Sequence, residues 1–203
     1  MENISVKPPA RSPIRKKAAP RTQLDRGNWI ESAIDVLARE GVTGLRVEVL
    51  AKRCGVTKGS SYWHFKDRQD LLVAVLEHRR EGRIRDIEKT TSFNPGMERS
   101  QLHYAIEVYG ASRNRKGMSI ELAVRDWARH DPQAAAVVEA VDLYRLECTR
   151  KLFVAAGMSD AEAKSRSLLL YACVFGLSLM HYAHFDDHPD DLKQRIAERI
   201  ISP

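Results

Sequence analysis

An all-α protein of about nine helices is what this sequence predicts, and three observations carry that expectation. Apolar residues recur at i, i+3, i+4, i+7 spacing along nearly the whole ordered part of the chain. No alternating Val/Ile/Thr run closed by Asn-Gly or Asp-Gly is present, so strand signals are almost absent. Helix punctuation is frequent, with Asp, Thr or Ser before apolar runs and Gly after them. The 203 residues, 43% hydrophobic and 30% charged, have the composition of a globular protein large enough for a small domain fused to a larger one.

Residues 1–24 combine Pro8, Pro9, Pro13 and Pro20 with Lys and Arg and lack apolar periodicity, which predicts a disordered basic arm, either tracking phosphates or serving as a solubilising tail. Order is expected from Asp25. Trp29, Ile30, Ala33, Ile34, Leu37 and Ala38 share one helical face, and Gly41 ends that helix. A shorter helix carries Val47, Leu50, Ala51 and Cys54 on one side and closes at Gly55. Thr57 is placed to cap a third helix of barely two turns, ending at His64. Asp67, with Asp70 three residues on, caps a fourth that turns Leu71, Leu72, Val75 and Leu76 inward and runs toward Ile87.

After a break at 92–96, helices are expected over 97–112 and 119–129. Asp131-Pro132 opens a long helix ending at Gly157, and Ser159 with Glu162 opens an apolar one reaching about His184. Pro189 begins a last helix to Ile201. The domain reading is an arm (1–24), a head (25–85, helix-turn-helix about 46–65) and a second domain (86–203).

Net charge is +6, and its distribution is uneven. Residues 26–85 hold twelve basic and eight acidic side chains, whereas residues 86–203 hold fifteen and seventeen. A basic front suits a polyanionic partner met by the N-terminal part. The three cysteines, Cys54, Cys148 and Cys173, sit among apolar helical neighbours without framework spacing, as small hydrophobes in a reducing compartment do. No signal peptide is expected. The run 167–185 is broken by Ser167, Ser178, His181 and His184 and barely reaches the roughly 20 residues a bilayer needs. No membrane partner and a cytoplasmic location, on the nucleoid when DNA is bound, are therefore expected. No catalytic constellation, phosphate loop or metal-ligand spacing stands out, so neither an enzyme nor a cofactor is expected; His181, His184, Asp186, Asp187 and His188 read as a polar loop.

The informative segment is 41–65. Gly55 can take a positive φ and bend one helix across another at an angle a major groove accepts. Val47, Leu50, Ala51, Val56 and Phe65 supply the small core that holds this angle. Lys58, Gly59 and Ser60 occupy the first exposed turn of the third helix: a long cation, a residue that lets DNA approach the backbone, and a short hydroxyl. Tyr62 and His64 offer donors at the groove wall, and Lys66 adds charge. Trp63 reads equally as a contact or as a packing group.

This stretch resembles the tetracycline-repressor (TetR/AcrR) family of one-component bacterial transcriptional regulators. The resemblance runs through 29–76: Ala38-Arg39-Glu40-Gly41, Leu50-Ala51, Gly55-Val56-Thr57-Lys58-Gly59, Tyr62-Trp63-His64-Phe65 and Leu71-Leu72. It implies DNA contacts at Thr57, Lys58, Gly59, Ser60, Tyr62, Trp63, His64 and Lys66. It also implies a homodimer on a palindromic double-stranded operator, a small-molecule effector bound among the C-terminal helices, and repression relieved by that ligand. Two positions depart from the family pattern. Leu45-Arg46 stands where Thr or Ser usually opens the second helix, which leaves Arg46 to reach a phosphate. Ser61 replaces a larger apolar residue, so the third helix packs more loosely or reads an additional base.

The second half resembles the family in layout alone. A four-helix dimer interface is expected from 159–184 and 189–201, drawing on Leu169, Ala172, Cys173, Gly176, Leu177 and Met180. Tyr104, Tyr109, Trp127, Tyr144, Tyr171, Phe175 and His181 are the candidate lining of a cavity for an apolar or aromatic ligand. Two other functions fit parts of the pattern: a nucleoid-type protein that binds DNA without sequence preference, and a C-terminal half with enzymatic turnover.

Overall fold

The computed structural model describes residues 24–110, 115–182 and 184–202, with the side chains at 109, 110 and 115 outside the description. The predicted arm lies outside these residues except for Leu24. Among the described residues there is no strand. Eight α-helices and a six-residue 3-10 segment make up the fold: α1 (Arg26–Glu40), α2 (Val47–Arg53), the 3-10 segment Lys58–Trp63, α3 (Arg68–Thr91), α4 (Glu98–Gly110), α5 (Arg115–Ala128), α6 (Pro132–Ala155), α7 (Asp160–Leu179) and α8 (Pro189–Ile201). A single 3-10 turn, Val42–Gly44, joins α1 to α2.

Local chemistry explains where most helices begin. The Asp25 carboxylate accepts the Asn28 amide at 2.7 Å, and the Asn28 side chain returns to the Asp25 amide. Asp67 accepts from Asp70 at 2.8 Å, Asp131 from Gln133 and Ala134 at 2.9 Å, and Ser159 from Glu162 at 3.3 Å. Such caps are worth about 1 kcal/mol each. Thr57 is different. It occupies the N-cap position in extended conformation, but its side chain makes no cap hydrogen bond. Its carbonyl instead accepts the Ser60 amide at 3.0 Å and the Ser60 hydroxyl at 2.7 Å, which tightens the segment into 3-10 geometry.

Gly55 has φ +66, and a Cβ there would meet nothing within 4 Å. The cost of a side chain is thus purely conformational, about 1–2 kcal/mol in the left-handed region. Gly55→Ala is expected to lower Tm by a few degrees, measured by circular dichroism, and a larger loss would reveal a steric role as well.

Two apolar clusters form the interior. The first gathers Trp29, Ile34, Leu37, Leu45, Leu50, Phe65, Leu71 and Val75. It also takes Ile120, Val124 and Trp127 from α5 and Ala134 from α6. The second joins Leu102, Leu152, Phe153, Leu170, Tyr171, Val174, Ile200 and Ile201. Each large side chain so buried contributes about 1.5–3 kcal/mol. The expected boundary at 85/86 falls inside α3. α3 runs unbroken through it, and the head's core is completed by helices from the second half.

Other boundaries shift for identifiable reasons. α5 starts at Arg115, and α7 stops at Leu179 instead of about His184. Met180 is already extended, and the residues around it have left the apolar cluster: Leu179 and Met180 are exposed. With no core to pack against, the backbone past Leu179 gains nothing from remaining helical. No helix among the described residues is long and apolar enough to cross a membrane.

Candidate nucleic-acid interface

α2 lays Leu50 and Ala51 against the first core, Gly55 turns the chain, and Val56 closes the turn through its amide on the Ala51 carbonyl at 3.0 Å. The segment Lys58–Trp63 then runs across α2 with Phe65 as its buried anchor, 3% exposed. Arg68 locks the other side: its Nε donates to the Leu45 carbonyl at 2.7 Å and its Nη2 to the Val42 carbonyl at 3.0 Å. Arg26 sits over the Phe65 ring with its guanidinium carbon 5.2 Å from the centroid. The sequence pattern did not single out either arginine, because both act on partners remote in sequence.

The predicted contact residues divide by exposure. Thr57, Lys58, Gly59, Tyr62, Trp63 and Lys66 are exposed, Trp63 at 84%, while Ser60 and His64 are half-buried. At that exposure the Trp63 indole projects into solvent and is not a packing group. A Cβ on Gly59 would find only Thr57 Oγ1, at 3.9 Å, so the outer face of this turn is open to an approaching backbone. A groove of about 480 Å3 brings Arg46, Lys58, Tyr62, Lys66 and Arg68 together between the start of α2 and the start of α3.

Arg46 occupies the N-cap of α2 without a capping side chain, and its Nε donates to the Thr43 carbonyl at 3.2 Å. Ser61 departs from expectation: it is 2% exposed, and its hydroxyl donates to the Lys58 carbonyl at 2.8 Å. It therefore faces inward, and a base contact from this position is not available in this geometry.

Lys58 Nζ is ion-paired with Glu48 Oε1, across from α2. The pairing raises the lysine pKa and lowers that of Glu48, chiefly through the hydrogen bond between them. Both side chains are more than half exposed, so the pair is solvent-screened and contributes little to stability.

The seven candidate cavity residues do not converge. Trp127 is part of the first core and Tyr171 of the second, where its hydroxyl meets Thr149 Oγ1 at 3.0 Å. Tyr144 donates to Glu88 at 2.8 Å, and that carboxylate pushes its phenol up to about 12. Tyr104 and His181 are exposed, and the Tyr109 side chain lies outside the described residues. A cavity of about 530 Å3 between α4, α7 and α8 is lined instead by groups such as Ile106, Leu170, Val174, Lys193 and Ile200. No group of three or more His, Cys, Asp or Glu placed to hold a metal occurs among the described residues.

Phe175 leads to a feature the sequence did not announce. Arg125 stacks over its ring at 4.2 Å, and Arg145, 2% exposed, lies 5.5 Å from it and 5.2 Å from Tyr171. Both arginines hold Glu121, whose Oε1 takes Arg125 at 2.9 Å and Arg145 at 3.3 Å while its Oε2 faces Arg83 of α3 at 3.3 Å. Asp142 completes the net with a bidentate pair to Arg125 at 2.6 and 2.8 Å. Burial alone would raise the Glu121 pKa, but Arg145, Arg83 and Arg125 together outweigh it and keep the carboxyl below its ordinary value.

The arrangement defines an all-α protein whose N-terminal head is a helix-turn-helix with a cationic, aromatic outer face. The family model for bacterial regulatory proteins, tetR family, matches residues 30–75, the helix-turn-helix head. It is 32% identical over 87 residues to the HTH-type transcriptional regulator SrpR of Pseudomonas putida, covering 43% of this chain and 39% of that protein. It is 41% identical over 56 residues to the class A tetracycline repressor protein from transposon 1721 of Escherichia coli, covering 28% and 26%. The chain thus matches about two fifths of the first relative's length and a quarter of the second's. A solved transcriptional regulator from Rhodococcus sp. Rha1 shares the fold over 88% of this chain and 94% of its own, with TM-score 0.70 at 19% identity.

Proposed function

We propose that this protein is a transcriptional repressor that binds a palindromic operator as a homodimer and is released by a small apolar or aromatic ligand. The exposed set Lys58, Tyr62, Trp63 and Lys66 on a rigidly cored turn is the observation that carries the reading. Long cations reach phosphates and bases, and the aromatic rings give the groove wall contact area. In this reading Thr57, Gly59, Ser60 and His64 complete the contact surface, Arg46 reaches a flanking phosphate, and Ser61 is left out. The names of SrpR and the class A repressor support the regulatory role.

A dimer fits the outer face of α7. Leu168, Leu169, Leu179 and Met180 are 53–66% exposed, Ala172 is exposed, and a Cβ on Gly176 would meet nothing within 4 Å. Cys173 and Leu177 turn inward, toward the cavity between α4, α7 and α8, and contribute less to such a face than their spacing suggested. Two copies joined there would present two heads to successive major grooves, ~34–36 Å apart on B-DNA, and a ligand favouring another separation would weaken binding.

Footprinting on DNA upstream of the protein's own gene tests the reading. A protected two-fold symmetric site is expected, and Leu169→Glu is expected to yield a monomer by light scattering with protection lost. Equal affinity for random DNA would replace the repressor with a nucleoid-type binder.

A further inference from the structure

Arg79 lies one turn before Arg83 on the inner side of α3 and is half-buried. Its Nε is sealed from solvent without a hydrogen-bond partner, and the residue makes no ion pair among the described residues. Burial, and then the like charge of Arg83, depress its pKa. The carboxylates in its field are Glu121, Asp86 and Glu31. Each is otherwise engaged: Glu121 with Arg83, Arg125 and Arg145, Asp86 with Arg83 at 3.4 Å, and Glu31 with His78 at 3.1 Å. A second guanidinium of the cluster, Arg145, also has a buried Nε without a partner. Leaving a desolvated guanidinium without an anion is strongly unfavourable, and proteins ordinarily pair such a group.

We propose that Arg79, on the inner side of α3, receives the carboxylate of a small organic acid. The assignment rests on the effector reading above and gives that effector a charge. A guanidinium fork meets a carboxylate in two parallel hydrogen bonds, which suits recognition of one planar anion. The site lies on α3, whose first turns pack in the head's core, so occupancy acts on the helix that directly follows the recognition segment.

Thermal unfolding of the full chain with benzoate, octanoate, benzyl alcohol, octanol and inorganic phosphate tests this. A carboxylate at a hundredfold excess over its Kd is expected to raise Tm by roughly 5–10 °C, with no shift from the alcohols or phosphate. Arg79→Met is expected to unfold at a higher temperature than the wild type, since a poorly paired buried charge is gone, and to lose the carboxylate shift. Arg79→Lys retains part of it. The proposal is overturned by a shift that survives in Arg79→Met, by an equal shift with alcohol or phosphate, or by no carboxylate shift in the wild type. Gel shifts with the same compounds separate the two readings. A carboxylate that stabilises through Arg79 without altering DNA affinity upholds the site and removes its role as effector.

Discussion

Lys58→Ala is expected to lower operator affinity by roughly thirtyfold or more, and Tyr62→Ala by a similar factor. A well-placed contact in the groove is worth about tenfold to a hundredfold in discrimination, and a symmetric dimer loses it twice. Neither substitution should harm the fold, because both side chains project from the 3-10 segment into solvent while Ser61 and Phe65 do the anchoring. Glu48 sharpens the test. It holds Lys58 in the unbound protein, so Glu48→Gln releases the lysine and removes a negative charge from the groove. That variant is expected to bind DNA more tightly, with the gain shrinking as salt rises. Gel-shift titrations at two ionic strengths, with circular dichroism as the folding control, check all three variants. Unchanged affinity in both Lys58→Ala and Tyr62→Ala would remove this segment from the DNA contact surface.

The second large effect is expected at Glu121. Removing it by Glu121→Ala leaves Arg83, Arg125 and Arg145 facing one another around a buried void, a type of change that costs about 3–5 kcal/mol. For a chain of this length the loss corresponds to a fall in Tm of roughly 6–20 °C. Glu121→Gln keeps the shape and some hydrogen bonds and is expected to cost less. The pH dependence has a definite sign. A carboxyl whose folded pKa is depressed contributes stability that is complete above its unfolded value, about 4.3, and is lost as pH falls through the folded value. Wild-type Tm should hold from neutral pH to about 5 and then decline, and the decline should be shallower in Glu121→Gln. Calorimetry across that range decides it: identical acid limbs in the two proteins would show that Glu121 does not carry the effect.

How much of this was legible in the sequence depended on whether a signal was local. Asp25, Asp67, Asp131 and Ser159 announced their helices because a cap and its amide lie within three residues. The recognition turn was legible for the same reason, with Gly55, Lys58 and Tyr62 inside one short stretch. Thr57 shows the limit even there: its position was readable, but the choice between a side-chain cap and a carbonyl shared with Ser60 was not. Ser61 could be taken for a surface hydroxyl until its burial was seen. Long-range pairing left no trace. Glu121 finds Arg83 and Arg145 on two other helices, and nothing in the spacing of those residues distinguishes them from solvated charges. The aromatic residues expected to share one cavity were dispersed by the same blindness, since periodicity assigns a face but not the neighbour it meets.

The shared first core has a consequence for how this protein can be taken apart. Ile120, Val124, Trp127 and Ala134 fill the interior of the head, yet they arrive from helices well beyond it. A fragment cut after α3 would present an apolar socket to water and would not be the same DNA-binding unit made smaller. α5 therefore works as a keystone: one set of its residues closes the head, and Glu121 and Arg125 tie it to α3, α6 and α7. Melting of the head and melting of the body should be one event, so whatever steadies either end of the molecule is felt at the other.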